Sequence, residues 1–162
     1  MKRMLTAILL CFWGSTSVLA TDAEALPKPL EGWVEAYERF DLEQFIDFYA
    51  EDARFSDPTA RIDFKSREEL RAAYTNIMLG RWGGNFRFKV NNVVAQNDLV
   101  VFEGLFSLTF NGKKGDIAFT TWLELEDGKI KRQLDMFDYG ALRQQIPDYG
   151  QSVPSEYTGP RD

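Results

Sequence analysis

Apolar residues recur at helical spacing through the first part of the chain and at every second position in the last half, and this change of period separates two kinds of element. After Pro29, residues Leu30, Trp33, Val34, Tyr37 and Phe40 repeat with Glu31, Glu35, Glu38 and Arg39 between them, which predicts an amphipathic helix opened by the proline. Asp41 is placed to cap a second helix, with Gln44 three positions on and Leu42, Phe45, Ile46 and Tyr49 forming its buried side. A brief strand is expected over Ala53–Ser56, ended at Asp57-Pro58 because proline cannot donate to a ladder. Ser66 and Glu69 have the spacing of a capping box ahead of a third helix carrying Leu70, Ala73, Tyr74 and Ile77, which Gly80 and the Gly83-Gly84 turn close.

From Asn85 the alternation is Phe86-Phe88-Val90, then Val100 to Phe110, then Phe119-Thr121-Leu123-Leu125, with a last strand over Lys129 to Phe137. Asn97-Asp98, Asn111-Gly112 and Asp127-Gly128 separate these runs and read as hairpin turns. Helices followed by a meander predict an α+β domain over residues 29–146: three N-terminal helices packed on a curved antiparallel sheet of four main strands plus one short strand. A polar linker over residues 21–28 precedes it, and a fraying tail rich in Pro, Gly, Ser and Asp over residues 147–162 follows.

Composition narrows the chemistry. The chain has 162 residues, no histidine, one cysteine and a net charge of −6, and 14% of it is aromatic. The lack of histidine removes Ser-His and Cys-His nucleophile activation and most catalytic zinc sites. The acidic balance, without a basic cluster, disfavours nucleic acid as a partner. Residues 1–20 read as a signal peptide, with basic Lys2-Arg3, an apolar run from Met4 to Trp13 and a small-residue ending at Ala20. Cleavage there implies an exported protein, periplasmic or secreted, with no stable membrane span and no disulfide, since Cys11 leaves with the signal. No phosphate loop, CxxC or EF-hand spacing is present, so neither a cofactor nor a metal is expected.

The element order, together with Tyr49-Ala50-Glu51-Asp52-Ala53-Arg54-Phe55-Ser56-Asp57-Pro58 and Asp127-Gly128-Lys129-Ile130 leading to Asp135-Met136-Phe137-Asp138, resembles the SnoaL-like branch of the nuclear transport factor 2-like superfamily. That resemblance implies a cone-shaped domain with an apolar pocket. Among its relatives are ketosteroid isomerase, limonene epoxide hydrolase and polyketide cyclases. Against the isomerase, Asp57 matches the general base and Tyr49 and Tyr74 match tyrosines that support the oxyanion donors. Those donors are replaced by Trp33 and Thr121, so the two-donor oxyanion hole is not reproduced. Against the epoxide hydrolase, Asp135 matches one carboxylate, but the Arg-x-Asp partners fall on Gly104 and Phe106. Asp135 also matches the acid–base carboxylate of polyketide-cyclase-like relatives.

Asp135 and Asp57 are therefore the candidate catalytic residues. Aspartate is depleted in strands, and alternation puts Asp135 on one side with Gln133 and Phe137, facing either solvent or the pocket. Asp57 before Pro58 is equally a turn starter whose carboxylate caps backbone amides. Trp33, Tyr49, Phe55, Tyr74, Trp82, Phe106, Thr121 and Phe137 are the candidate ligand wall, and aromatic stripes of this kind also serve as plain core. The expected ligand is a small apolar or carbonyl-containing organic molecule. Apolar residues on both faces of the strands, Val101 and Leu105 against Val100, Phe102 and Phe106, predict a homodimer through the outer face. The other reading of the same features is a non-catalytic dimeric binding or interaction module.

Overall fold

The computed structural model describes residues 26–80 and 82–150. The expected signal peptide, the first part of the linker and the tail beyond Gly150 lie outside the described residues. A single 3-10 turn, Lys28–Leu30, precedes α1 (Trp33–Glu38), α2 (Leu42–Asp47), β1 (Tyr49–Asp57), β2 (Ile62–Phe64), α3 (Arg67–Met78), β3 (Gly84–Gln96), β4 (Leu99–Phe110), β5 (Lys113–Glu126), β6 (Lys129–Phe137) and α4 (Tyr139–Gln145). One six-stranded sheet runs in the order β2-β1-β6-β5-β4-β3. The α+β class and the order of helices before meander match expectation, whereas the counts differ: the described residues hold six strands and four α-helices.

Local chemistry accounts for the elements that agree. Asp41 accepts from the Gln44 amide at 3.1 Å and starts α2. Ser66 accepts from the Glu69 amide at 3.2 Å, while Glu69 reaches back to the Lys65 amide at 2.7 Å, one residue before the usual capping-box position. At the hairpins Asn111, Gly112, Asp127 and Gly128 all have positive φ, between 49° and 76°, as the two-residue turns matching strand twist require.

Other expectations are corrected. The helix expected from Pro29 is broken at Gly32, whose φ of 84° ends the 3-10 turn before α1 begins. Apolar spacing runs across that break because both pieces bury the same side. Tyr49 belongs to β1 rather than to α2, and β1 extends over nine residues instead of Ala53–Ser56. Its acidic start reads poorly as a strand, yet Asp52 is neutralised by Lys131 of β6 at 2.6 Å. The sheet is mixed, because β1 runs parallel to β6. β2 is too short for periodicity to register and is held by Phe55 stacking on Phe64 at 5.8 Å. α4 starts where Asp138 accepts from the Ala141 amide at 2.8 Å. The first residues of the expected tail are docked, with Tyr149 against Phe110 at 5.3 Å and Asp148 paired with Lys113 at 2.9 Å.

The concave face of the sheet and the helices enclose the core, in which Trp33, Phe45, Tyr49, Leu70, Phe102 and Phe119 are buried. Gly104 of β4 pairs with Val90 of β3, beside a register shift between Val90 and Asn92. A Cβ at Gly104 would lie 2.0 Å from the Lys89 carbonyl oxygen. Gly104→Ala is accordingly expected to lose about 1–3 kcal/mol or more in chemical denaturation. An unchanged midpoint would show that β3 yields there.

Candidate functional site

Between the helices and the concave face lies a cavity of about 730 Å³, within the range of about 300–1,000 Å³ usual for small-molecule sites. α1 supplies Trp33 and Tyr37, α3 supplies Ala73, Tyr74 and Ile77, and β1 supplies Phe55 and Asp57. Gln133, Asp135 and Phe137 come from alternate positions of β6, and α4 closes one side with Tyr139 and Arg143. The aromatic wall is continuous: Phe106 meets Phe137 at 5.4 Å, and Phe137 meets Tyr139 at 5.7 Å.

Asp135 is 5% exposed and faces this cavity rather than the outer side of the sheet. β5 and β6 pair Thr121 directly with Asp135, so the Thr121 hydroxyl donates to Oδ1 at 2.8 Å. Gln133, two residues earlier on the same face, donates its amide nitrogen to Oδ2 at 2.8 Å. The Gln133 amide is itself oriented, because Tyr49 donates its hydroxyl to Oε1 at 2.6 Å and accepts in turn from Trp33 Nε1 at 3.3 Å. Burial pushes the Asp135 carboxyl up to about 7; the hydrogen bonds from Gln133 and Thr121 pull it down, and the charge of Asp57 adds to the rise. A carboxyl in that range exchanges a proton at neutral pH.

Asp57 both closes a turn and faces the cavity. Its Oδ1 accepts from the Thr59 amide at 2.9 Å, the Thr59 hydroxyl and the Ala60 amide at 3.1 Å, which closes the turn into β2. Its Oδ2 faces the cavity and accepts from the Tyr139 hydroxyl at 3.1 Å. The turn reading and the pocket reading are therefore not alternatives.

Of the residues expected in the wall, Trp33, Phe55, Tyr74, Trp82, Phe106 and Phe137 line the cavity. Tyr49 and Thr121 do not; they stand behind it and hold Gln133 and Asp135. Sequence reasoning missed several contributors, among them Gln133, Tyr37, Tyr139 and Arg143. Gln133 shares a face with Asp135 at spacing two, a signal that was visible. Tyr37 reads in the sequence as one more ring of an amphipathic helix, yet its hydroxyl makes no hydrogen bond among the described residues. Burial pushes that hydroxyl well above its ordinary range, with smaller contributions from Tyr149 and Asp135. Among the described residues no group of three or more acidic or cysteine side chains is placed to hold a metal, and no helix is long and apolar enough to cross a membrane.

Residues 30–133 match the SnoaL-like domain family. No curated protein matches the chain in sequence. Among solved structures, a SnoaL-like polyketide cyclase, so described, from Shewanella denitrificans is 23% identical with a TM-score of 0.64, covering 74% of this chain and 95% of that one. A protein of ketosteroid isomerase-like fold from Catenulispora acidiphila, crystallised with trimethylamine, is 15% identical with a TM-score of 0.67, covering 82% and 98%. An epoxide hydrolase of the limonene type from Mycobacterium tuberculosis is 16% identical with a TM-score of 0.62, covering 79% and 91%. At these identities the likeness carries the fold.

Proposed function

We propose, for a chain that belongs to the SnoaL-like domain family, that the cavity binds a small, largely apolar, carbonyl-containing organic molecule and that Asp135 moves a proton on it. The observation that carries this reading is a buried carboxylate, fixed at both oxygens and pushed up to about 7, within an aromatic cavity. In the ionised form Asp135 takes a proton from carbon next to the carbonyl, and the electron pair moves onto the carbonyl oxygen. Tyr37 supplies to that oxygen a hydroxyl that makes no hydrogen bond among the described residues, in place of the donors that the resemblance lacks. Return of the proton to another carbon gives isomerisation, and departure of a neighbouring hydroxyl gives dehydration. Asp57 acts through its charge on Asp135 and through the turn it holds.

Tyr37→Phe tests this arrangement. Because the hydroxyl binds nothing among the described residues, stability is expected to stay within about 0.5 kcal/mol. Deuterium exchange next to the carbonyl of the bound ligand should slow about 10²-fold, the usual cost of one oxyanion donor. Equal exchange rates in parent and variant would remove Tyr37 from the mechanism.

A second copy is proposed to cover the outer sheet face. Cross-strand register there aligns Val94, Val101, Trp122 and Leu134. Trp122 is 43% and Val94 52% exposed, and Met136 lies alongside at 41%. A contiguous apolar row across four strands is what an isologous dimer buries. Export is likewise proposed from the amino-terminal segment. Native mass spectrometry of protein from its own host reads all three proposals together: a mature chain beginning at Thr21, a dimer, and a retained organic ligand of a few hundred daltons. A chain retaining Met1 rejects cleavage, a monomer at tens of micromolar rejects the dimer, and persistent absence of ligand favours the non-catalytic interaction module.

A further inference from the structure

The cavity is acidic and apolar inside, yet two guanidinium groups stand at its edge. Arg61 lies in the turn between β1 and β2, Arg143 on α4, and both are exposed while contributing to the cavity lining. Neither forms an ion pair among the described residues. In a chain of net charge −6, eight other described cations pair with carboxylates, and two arginines without an ion pair among the described residues at one opening form a local positive site. Arginine is suited to planar anions because its donors form a fixed fork.

Backbone geometry at Arg61 supplies an independent observation. Six described non-glycine residues have positive φ: Phe40, Arg61, Asn85, Asn97, Asn111 and Asp127. Four are Asn or Asp, the side chains that tolerate this region. Phe40 has a packing reason, since its ring meets Phe86 at 5.5 Å. Arg61, at φ 59°, has neither excuse: its side chain is exposed and unpaired, and glycine would serve the turn better.

We infer that Arg61 and Arg143 form a specificity-determining clamp for an anionic group, a carboxylate or phenolate, carried by the end of the ligand that remains at the cavity mouth. This rests on the cavity being a ligand site as proposed above. Asp135 and Asp57 repel an anion from the interior, and the two arginines attract it at the rim, so both contributions orient the molecule with its neutral, carbonyl-bearing end inward.

The test compares anthracenecarboxylate with its neutral counterpart anthracenemethanol, titrated into the full-length protein by calorimetry at low ionic strength. The parent is expected to bind the carboxylate about tenfold more tightly than the alcohol, a preference that about 1 M salt, with a Debye length near 3 Å, should remove. Arg61→Gly combined with Arg143→Gln should bind both probes alike, the preference for the carboxylate being lost. Arg61→Gly alone should melt no lower than the parent, because it relieves the strained backbone while weakening the preference. A parent without preference, or a double variant that keeps it, overturns the clamp while leaving the cavity reading intact if the alcohol binds. Failure of both probes to bind the parent overturns the clamp and the cavity reading together.

Discussion

Asp135→Asn is expected to stabilise the protein above neutral pH while slowing proton transfer by orders of magnitude. In the folded chain burial pushes this carboxyl from 3.8 up to about 7, whereas the unfolded chain leaves it near its ordinary value. Between those limits the folded state binds the additional proton, so stability falls as pH rises from about 4 to about 7, and the full cost is present above it. At 1.36 kcal/mol per unit the ceiling is about 4 kcal/mol, from which water entering the cavity subtracts. The substitution fits locally. Asn keeps an oxygen toward the Gln133 amide, and its nitrogen faces Thr121, whose hydroxyl turns to accept instead of donate. Gln133 has no such freedom because Tyr49 holds its carbonyl. The variant should therefore show a higher midpoint than the parent at pH 8 and a difference that shrinks toward pH 4. Loss of an acid–base group slows the chemistry by about 10²–10⁴-fold. Carbon-13 NMR provides the direct measurement: an Asp135 carboxyl titrating near 3.9 would overturn both halves of the expectation.

Much of this site follows from alternation. Once β6 is recognised as a strand, Gln133, Asp135 and Phe137 must share a face, and the Asp127-Gly128 hairpin sets the register that brings Thr121 opposite Asp135. The sequence marks Asp135 because a carboxylate among strand rings needs a reason to be there. It cannot say that Thr121 and Tyr49 stand behind the wall, since that depends on how β1 docks. β1 lies parallel to β6 although α3 and four strands intervene between them, and a non-local pairing of this kind leaves no periodic trace. α4 escaped notice for a similar reason: seven residues after an Asp cap are too few to establish a helical period. With α4 and β2 unseen, Tyr139, Arg143 and the whole mouth of the cavity were invisible. Tyr37 illustrates the opposite case, since its position on α1 was legible while the lack of a partner for its hydroxyl among the described residues was not.

Gln133→Leu is expected to be the more damaging substitution, although it changes no charge. Gln133 is 1% exposed and links Tyr49 to Asp135, accepting from one and donating to the other. Leucine fills comparable space but leaves the Tyr49 hydroxyl proton without its acceptor and removes the donor from Asp135 Oδ2. Each buried polar group so orphaned costs about 1–3 kcal/mol, giving a loss of about 2–6 kcal/mol in denaturation. The hydrogen bond from Gln133 favours the ionised form of Asp135, so its removal drives that carboxyl further above 7. The part of the cost tied to the ionised form then grows with pH, and the base-dependent limb of any pH–rate profile moves to higher pH. Tyr49→Phe separates the two contributions: it frees the Gln133 carbonyl but leaves its amide nitrogen on Asp135, so stability should fall with a smaller movement of the carboxyl. NMR titration of Asp135 in both variants decides the matter. A carboxyl that titrates in Gln133→Leu where it does in the parent would mean that Gln133 packs beside Asp135 without controlling its proton.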